Sequence, residues 1–337
     1  MPVITSLLKK DFEVVIAGNG NSLEILKMEF PQLEFEYLPG VEITYGKSRM
    51  SVSGILWQVP GFIYNAYREH SALKKLISRR KIGIVISDNR YGLWSKKCHS
   101  VFICHQLNVK LPRIVSFVEK PLNFILKRII LKFNKRWVPD TADHALAAEL
   151  SQAGNLPVKY IGPLSRFYDS APAADETYEV LVVLSGPEPQ RSVLEEKLSH
   201  HLSTLSIRTL FVRGITKEYS MWTNGAITFV NSLSTPALHF HLQKSKYIIC
   251  RSGYSSLMDL AALKRSAVII PTPGQEEQEY LAREHHMKNH YCMQQEDIDL
   301  SVAFSSLTDL QYVDCKPLID EAVEELPTGA VTLPVNA

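Results

Sequence analysis

The stretch Cys250-Arg251-Ser252-Gly253-Tyr254-Ser255-Ser256-Leu257-Met258-Asp259 decides how the chain is read. It follows an apolar run, Tyr247 to Cys250, that has the character of a buried strand. It opens onto Leu257, Met258, Leu260, Ala261, Ala262 and Leu263, which suit a helix. A turn of small residues between strand and helix leaves backbone N–H groups at the positive end of the helix dipole, a ready site for a phosphate. Asp259 falls about two turns into that helix, from where a carboxylate reaches past phosphates to sugar hydroxyls. The next strand-like run, Ala267 to Pro271, leads into Thr272-Pro273-Gly274-Gln275-Glu276-Glu277-Gln278-Glu279, dense in side chains that hydrogen-bond a polyol. An ordinary strand-to-helix turn with serine caps, followed by a solvated acidic loop, accounts for the same residues equally well.

A family resemblance enters at these positions. Arg251-Ser252-Gly253, Asp259 eight residues after the arginine, and the run Pro271-x-x-x-Gln275-x-x-Gln278-Glu279-Tyr280 resemble the nucleotide-sugar half of GT-B glycosyltransferases. The nearest type is the UDP-N-acetylglucosaminyltransferase that makes lipid II. The resemblance covers roughly residues 250–282 and implies an α/β fold, GT-B, with two Rossmann-like domains facing across a cleft. It implies that Arg251 belongs to the donor-binding set, that Ser252, Gly253, Ser255 and Ser256 face a diphosphate, and that Asp259, at the family's Glu position, holds ribose hydroxyls. It also implies that Gln278 and Glu279 face the donor sugar. The lipid II enzymes have Gln-Gln there, so Glu279 departs from the pattern and leaves the sugar open. The motif pair does not by itself separate transferases from nucleotide-sugar epimerases or hydrolases of the same fold.

Bulk properties narrow the field. At 337 residues the chain can build two domains with separate cores. A formal net charge of +2 argues against a general nucleic-acid binder. Cys98, Cys104, Cys250, Cys292 and Cys315 form no CxxC pair, so neither a disulfide framework nor a zinc site is indicated, and reduced thiols fit a cytoplasmic protein. No run approaches about 18 uninterrupted apolar residues, the length of a membrane span. Lys9, Lys10 and Asp11 interrupt the start, which does not have the pattern of a signal peptide. The expected organisation is an acceptor-side domain over 1–163, a linker over 164–178, a nucleotide-sugar domain over 179–315, and a C-terminal helix with a flexible tail over 316–337.

The N-terminal half opens oddly. Residues 3–10 have helical spacing and Phe12 to Ala17 read as a buried strand, whereas a doubly wound domain normally opens on a central strand. In the resembled family a Gly-rich turn with His and Arg precedes a helix containing a Pro-Val-Ile-like segment. Pro2-Val3-Ile4 is similar to that helix, so the resemblance implies a chain lacking the first strand and turn of its relatives, with weak transferase activity as the consequence. Gly18-Asn19-Gly20-Asn21 reads as a turn capped by Ser22, and residues 40–60 as an irregular connector before a helix over 61–80.

Two later strands end in polar clusters. Ile82 to Ser87 runs into Asp88-Asn89-Arg90, and Val101 to Cys104 into His105-Gln106-Leu107-Asn108. Ligand groups in open α/β sheets gather at such carboxyl ends. The second cluster resembles the His-Glu-Gln-Asn of lipid II synthases, which implies acceptor-side roles for Asn89, Arg90, Gln106 and Asn108. Asp88 and His105 are the general-base candidates, or they simply cap loops and bond each other. Between 110 and 137, Lys110, Arg113, Lys120, Lys127, Arg128, Lys132, Lys135 and Arg136 alternate with apolar residues against the single acid Glu119. Such a segment either lies on an anionic membrane surface or packs on the core with its basic face in water. The resemblance implies peripheral contact with the inner face of a membrane. Asp140 to Asp143 reads as a helix start.

In the C-terminal half, the strand Tyr178 to Leu184 ends in Ser185-Gly186-Pro187, a small turn that can offer N–H groups to a phosphate. Arg191 either neutralises a diphosphate or is helix surface, and Asn231 is expected beside the base. No Asp-x-Asp-type metal site follows either of the strand-like runs Tyr247–Cys250 and Ala267–Pro271, so no metal or other cofactor is expected. The partners implied are a nucleotide-sugar donor, a UDP-sugar in the nearest type, and a glycan or lipid-linked acceptor of the cell envelope. The reaction implied is transfer with inversion.

Overall fold

The computed structural model describes residues 1–40, 52–111, 113–174, 176–215, 219–307, 310–327 and 331–335. The chain is α/β throughout and divides into two compact units. Among the described residues, one holds those up to Leu164 together with those from Lys316 on, and the other holds those of Ser165–Cys315.

The first unit begins with helix α1 (Pro2–Lys9), where proline occupies a first-turn position that needs no N–H. Val3, Ile4 and Leu7 on α1 are buried against Ile84, Val101 and Trp137. Strand β1 (Val15–Gly18) is buried along its length, then helix α2 (Gly20–Glu29) begins at Asn19 instead of the expected Ser22 cap. Strand β2 (Glu34–Tyr37) follows. Helix α3 (Val52–Arg80) starts earlier than the helix expected over 61–80 and runs through Pro60, where an interior proline costs a ladder hydrogen bond. The rest of the connector read over residues 40–60, residues 41–51, lies outside the described residues.

Strands β3 (Ile82–Asp88) and β4 (His99–Ile103) are apolar and mostly buried, as parallel strands covered on both faces must be. Helix α4 (Glu119–Ile130) and strands β5 (Lys135–Val138) and β6 (Lys159–Tyr160) complete this part. No helix starts at Asp140. Its buried carboxylate accepts from the backbone N–H groups of Thr141, Leu146 and Ala147 and from Ser151 Oγ at 2.6 Å, which fixes a turn.

The second unit runs through β7 (Val180–Val183), α5 (Gln190–Leu205), β8 (Thr209–Val212), β9 (Met221–Asn224), β10 (Ile227–Val230) and α6 (Thr235–Lys244). It continues with β11 (Tyr247–Arg251), α7 (Tyr254–Ala262), β12 (Val268–Ile270), α8 (Glu276–His285), β13 (Tyr291–Cys292) and α9 (Leu300–Ser306). The sheet order is β13-β12-β11-β7-β8-β10-β9, parallel except for the edge hairpin β9–β10. The chain fills one side of β7 with β8 and β10 and then crosses to fill the other with β11 and β12. The topological switch point therefore lies between β7 and β11, where a doubly wound sheet opens a crevice at its carboxyl edge. Leu194, Leu198 and Leu202 of α5 pack fully buried on Val180, Val182 and Phe211.

The chain then returns to the first unit. Leu318 N–H donates to Ile161 O at 2.8 Å, and Gly162 (φ +68°) has room for no side chain, since a Cβ would lie 2.0 Å from Lys316 O. Helix α10 (Ile319–Glu324) lays Ile319, Ala322 and Val323 into the core beside α1. Strand β14 (Val331–Val335) corrects the reading of this end as a flexible tail. The sheet order is β2-β1-β14-β3-β4-β5-β6, so the C-terminal strand sits in mid-sheet, beside the strand with which the chain's own winding begins. An apolar, β-branched segment finds two strand edges here, a tertiary partner that no local pattern announces.

Candidate functional site

In the second unit, Ile249 pairs with Val182 and Cys250 with Val183, so the turns after β7 and β11 leave the sheet side by side at the switch point. After β7, Ser185 and Gly186 are exposed. Gly186 has φ +99°, a conformation that favours glycine, and a Cβ there would lie 3.8 Å from Thr272 Oγ1. After β11, Gly253 caps α7 with extended backbone and the cap has no side-chain hydrogen bond among the described residues. The first-turn N–H groups of α7, Ser255 and Ser256 among them, thus open at the end of the helix that favours an anion.

The β12–α8 loop forms the third wall. Gln278 Oε1 accepts from Thr272 N–H at 2.9 Å, and Gln278 O accepts from the fully buried Ser252 Oγ at 2.9 Å. Glu279 Oε1 accepts from Gly274 N–H at 2.9 Å. A Cβ on Gly253 would stand 3.9 Å from Gln278 Nε2. Thr272 Oγ1 is buried and has no hydrogen-bond partner among the described residues. A buried hydroxyl with no partner among the described residues, beside two small-residue turns, is a polar group the described fold does not satisfy. Sequence reading included Thr272 in the loop but did not single it out, because only the crossing of the two turns gives it a position.

Asp259 sits half-buried on α7 and accepts from Ser165 Oγ at 2.7 Å. Burial raises its carboxyl to a pKa of about 6, partly offset by the Ser165 bond and the nearby Arg166 charge. Ser165, one residue past the linker's predicted start, had no sequence signal as a partner for Asp259.

Four cations and amides assigned to ligands prove to be structural. Arg251 is 1 % exposed and bonds Pro271 O, Gln190 O and Gln295 Oε1 at 3.1, 2.8 and 2.8 Å. Burial lowers its pKa to about 10. Arg191 is buried between Glu188, Glu195 and Arg213 O, which accounts for its charge without a diphosphate. Asn231 Oδ1 accepts from Arg213 Nη1 at 3.0 Å, and its backbone N–H and C=O bond Ser220 and Ile215. Asn108 spends its amide on the carbonyls of Glu149 and Gln152 at 3.0 and 2.7 Å.

In the first unit the turns after β3 and β4 meet. Asn89, at φ +53°, donates its N–H to Ile103 O at 2.9 Å and accepts from Cys104 Sγ at 3.3 Å. Asp88 is exposed at the strand end and His105, half-buried, lies within its electrostatic range. Gln106 N–H contacts Cys104 Sγ at 3.2 Å, which shapes the turn. Arg90 is not an acceptor-side group. It is 5 % exposed, pairs with Glu69 at 3.1 Å and also bonds Pro39 O. Among the described residues no group of three or more His, Cys, Asp or Glu is arranged to hold a metal, and no helix is long and apolar enough to cross a membrane.

Comparison with known proteins agrees with this geometry. Residues 235–311, which hold β11, α7, β12 and α8, match the glycosyltransferase family 28 C-terminal domain. The whole chain is similar in fold to the glycotransferase of kitacinnamycin, with a TM-score of 0.63 at 12% identity, covering 96% of this chain and 88% of that one. It is similar to MurG of Acinetobacter baumannii, with a TM-score of 0.51 at 11% identity over 98% and 91%. It is also similar to UGT89C1 of Arabidopsis thaliana complexed with UDP-L-rhamnose, with a TM-score of 0.53 at 12% identity over 91% and 85%. No curated protein sequence matches the chain. The fold is that of the GT-B glycosyltransferases, and the match to the glycosyltransferase family 28 C-terminal domain falls within the second unit.

Two outcomes follow from the buried charges. Arg251→Met strands three acceptors in the interior and should lower stability by on the order of 3 kcal/mol in urea unfolding. For Asp259 the folded pKa of about 6 lies above the unfolded carboxyl value, so its charged form opposes folding above pH 6 and this opposition fades toward pH 4. Urea midpoints should therefore show wild type gaining on Asp259→Asn as pH falls from 7 to 4; a constant difference would contradict the assignment.

Proposed function

We propose that this protein is an inverting glycosyltransferase that moves a sugar from a nucleotide diphosphate, a UDP-sugar by the motif reading, to an acceptor hydroxyl. The observation that carries the reading is the open N-terminus of α7 at the switch point, within the segment matching the family 28 domain. The diphosphate lies against the turns of Ser252-Gly253 and Ser185-Gly186, with Ser255, Ser256 and Thr272 as hydroxyl donors. Asp259 exchanges its Ser165 bond for the ribose hydroxyls, and Gln278 with Glu279 borders the sugar. A base, Asp88 or His105, removes the acceptor proton as the acceptor oxygen attacks the anomeric carbon and the bond to the diphosphate breaks. The N–H groups and dipole of α7 stabilise the departing charge, which is where preorganised donors contribute most. No metal enters this scheme.

The membrane side of the proposal rests on α4 and the segment before it. Phe117, Phe124, Ile125 and Leu131 are 76, 60, 56 and 49 % exposed beside exposed Lys120, Arg128 and Lys132, while Leu126 and Ile130 pack inward. An apolar, basic surface of this kind suits anionic headgroups and brings the enzyme to a lipid-linked acceptor.

Calorimetric titration tests the donor site. UDP should bind saturably and in preference to GDP, TDP and ADP, and Asp259→Ala should weaken it by roughly 10–100-fold, as loss of hydrogen bonds to a charged group does. Absence of binding by every nucleotide would reject the reading. Flotation with phosphatidylserine vesicles tests the surface. Replacing Lys127, Arg128 and Lys132 with Gln should cut binding roughly 100-fold, at about 1 kcal/mol per charge; equal flotation would reject membrane contact.

A further inference from the structure

Beside the edge strand β6 the fold builds a short polar chain that the transfer scheme does not use. Asp140 is fully buried just past β5, and its Oδ2 accepts from Ser151 Oγ at 2.6 Å and from Ala147 N–H at 3.0 Å. Ser151 Oγ has two further contacts, Ala148 O at 3.2 Å and His144 Nδ1 at 3.1 Å. A hydroxyl carries one proton, and a carboxylate and a carbonyl only accept. The Ser151 proton is therefore committed to them, and His144 Nδ1 is the donor to Ser151 Oγ. The neutral imidazole then has one tautomer open to it, with the hydrogen on Nδ1 and a lone pair on Nε2. Among the described residues Nε2 has no hydrogen-bond partner. The His144 ring stands edge-on to Tyr160 at 5.2 Å between centroids, and Tyr160 Oη donates to Ser151 O at 3.0 Å. One buried serine thus holds both rings.

These two rings, with Gln152, Gly154, Leu156 and Pro157, line a cavity of about 490 Å³ that opens at the surface. That is the size of a small-molecule site. Among the described residues no lysine, arginine, aspartate or glutamate lines it. Gln152 is exposed, and its side-chain amide has no partner among the described residues. Gly154, at φ +58°, has open space where a side chain would stand. A charged ligand finds no counter-ion here. A purely apolar one would displace water from Nε2 and the amide and leave both unpaired. A neutral ring with hydroxyls on its edge meets both requirements, laying a face on Tyr160, Leu156 and Pro157.

We propose that this cavity binds a neutral sugar ring, with one hydroxyl donating to His144 Nε2 and a second bonding the Gln152 amide. Asp140 and Ser151 are positioning residues that hold the imidazole in its accepting tautomer. The site lies within the first unit and its test involves no nucleotide, so it stands or falls separately from the donor site.

Two NMR measurements on the full chain test it. Nitrogen spectra of the imidazoles, with His144 identified by its loss in His144→Asn, should show Nδ1 protonated and Nε2 bare; asparagine tolerates the left-handed backbone at this position (φ +61°). The opposite tautomer would overturn the polar chain and the site with it. Saturation-transfer titration with the methyl glycosides of glucose, galactose, mannose and N-acetylglucosamine should show saturable binding of at least one and move the His144 Nε2 resonance. His144→Asn and the exposed Gln152→Ala should each weaken that binding roughly ten-fold. Binding of none, binding that leaves the His144 resonance in place, or equal affinity in both variants would overturn the site.

Discussion

A buried guanidinium organises the carboxyl edge of the second sheet. Arg251 ends β11 and bonds the carbonyl that follows β12, the first residue of α5 and the side chain of Gln295. Each of these acceptors would otherwise be a buried polar group at the point where strands stop and loops begin. One planar cation with divergent donors meets them together, which a lysine could not do. Its interior position depresses its pKa to about 10, which still leaves it charged at neutral pH. Of the residues that follow, Ser252 stays buried with its Oγ donating to Gln278 O, while Gly253, Ser255 and Ser256 reach the surface. The motif thus divides its labour, with Arg251 and Ser252 shaping the turn and the residues after them left at its outer side.

The same division recurs across the candidate site. Arg191, Arg90 and Asn108 have the chemistry of ligand-binding groups, yet each is consumed by carbonyls or carboxylates of its own unit. Thr272 shows the converse, a plain side chain made notable by being left unpaired in the interior. Whether a polar residue serves the fold or a ligand depends on which other groups the fold brings within about 3 Å, and spacing along the chain carries no record of that.

The first unit shows how a winding pattern can be satisfied out of order. A mid-sheet position needs an extended apolar segment with free backbone groups, and the sheet is indifferent to where in the chain that segment originates. Gly162, crossed closely by Lys316, is the point at which the returning chain is admitted. From there α10 carries it back to the core beside α1.

Much was legible in the sequence by itself. The alternation of apolar runs with helical spacings, the division near residue 164, and the small-residue turn at Ser252-Gly253 are local patterns. They depend on propensity, side-chain size and backbone freedom, which act over a few residues. Tertiary structure alone decided that Val331–Val335 enters the first sheet, that α3 runs through Pro60, that Asp140 makes a turn instead of a helix, and that Ser165 answers Asp259. For the strand, the turn and the Ser165 bond the reason is common. Each is fixed by a partner outside the local pattern or by burial, and the free energy of pairing a strand edge or a buried carboxylate exceeds the weak local preferences that sequence displays.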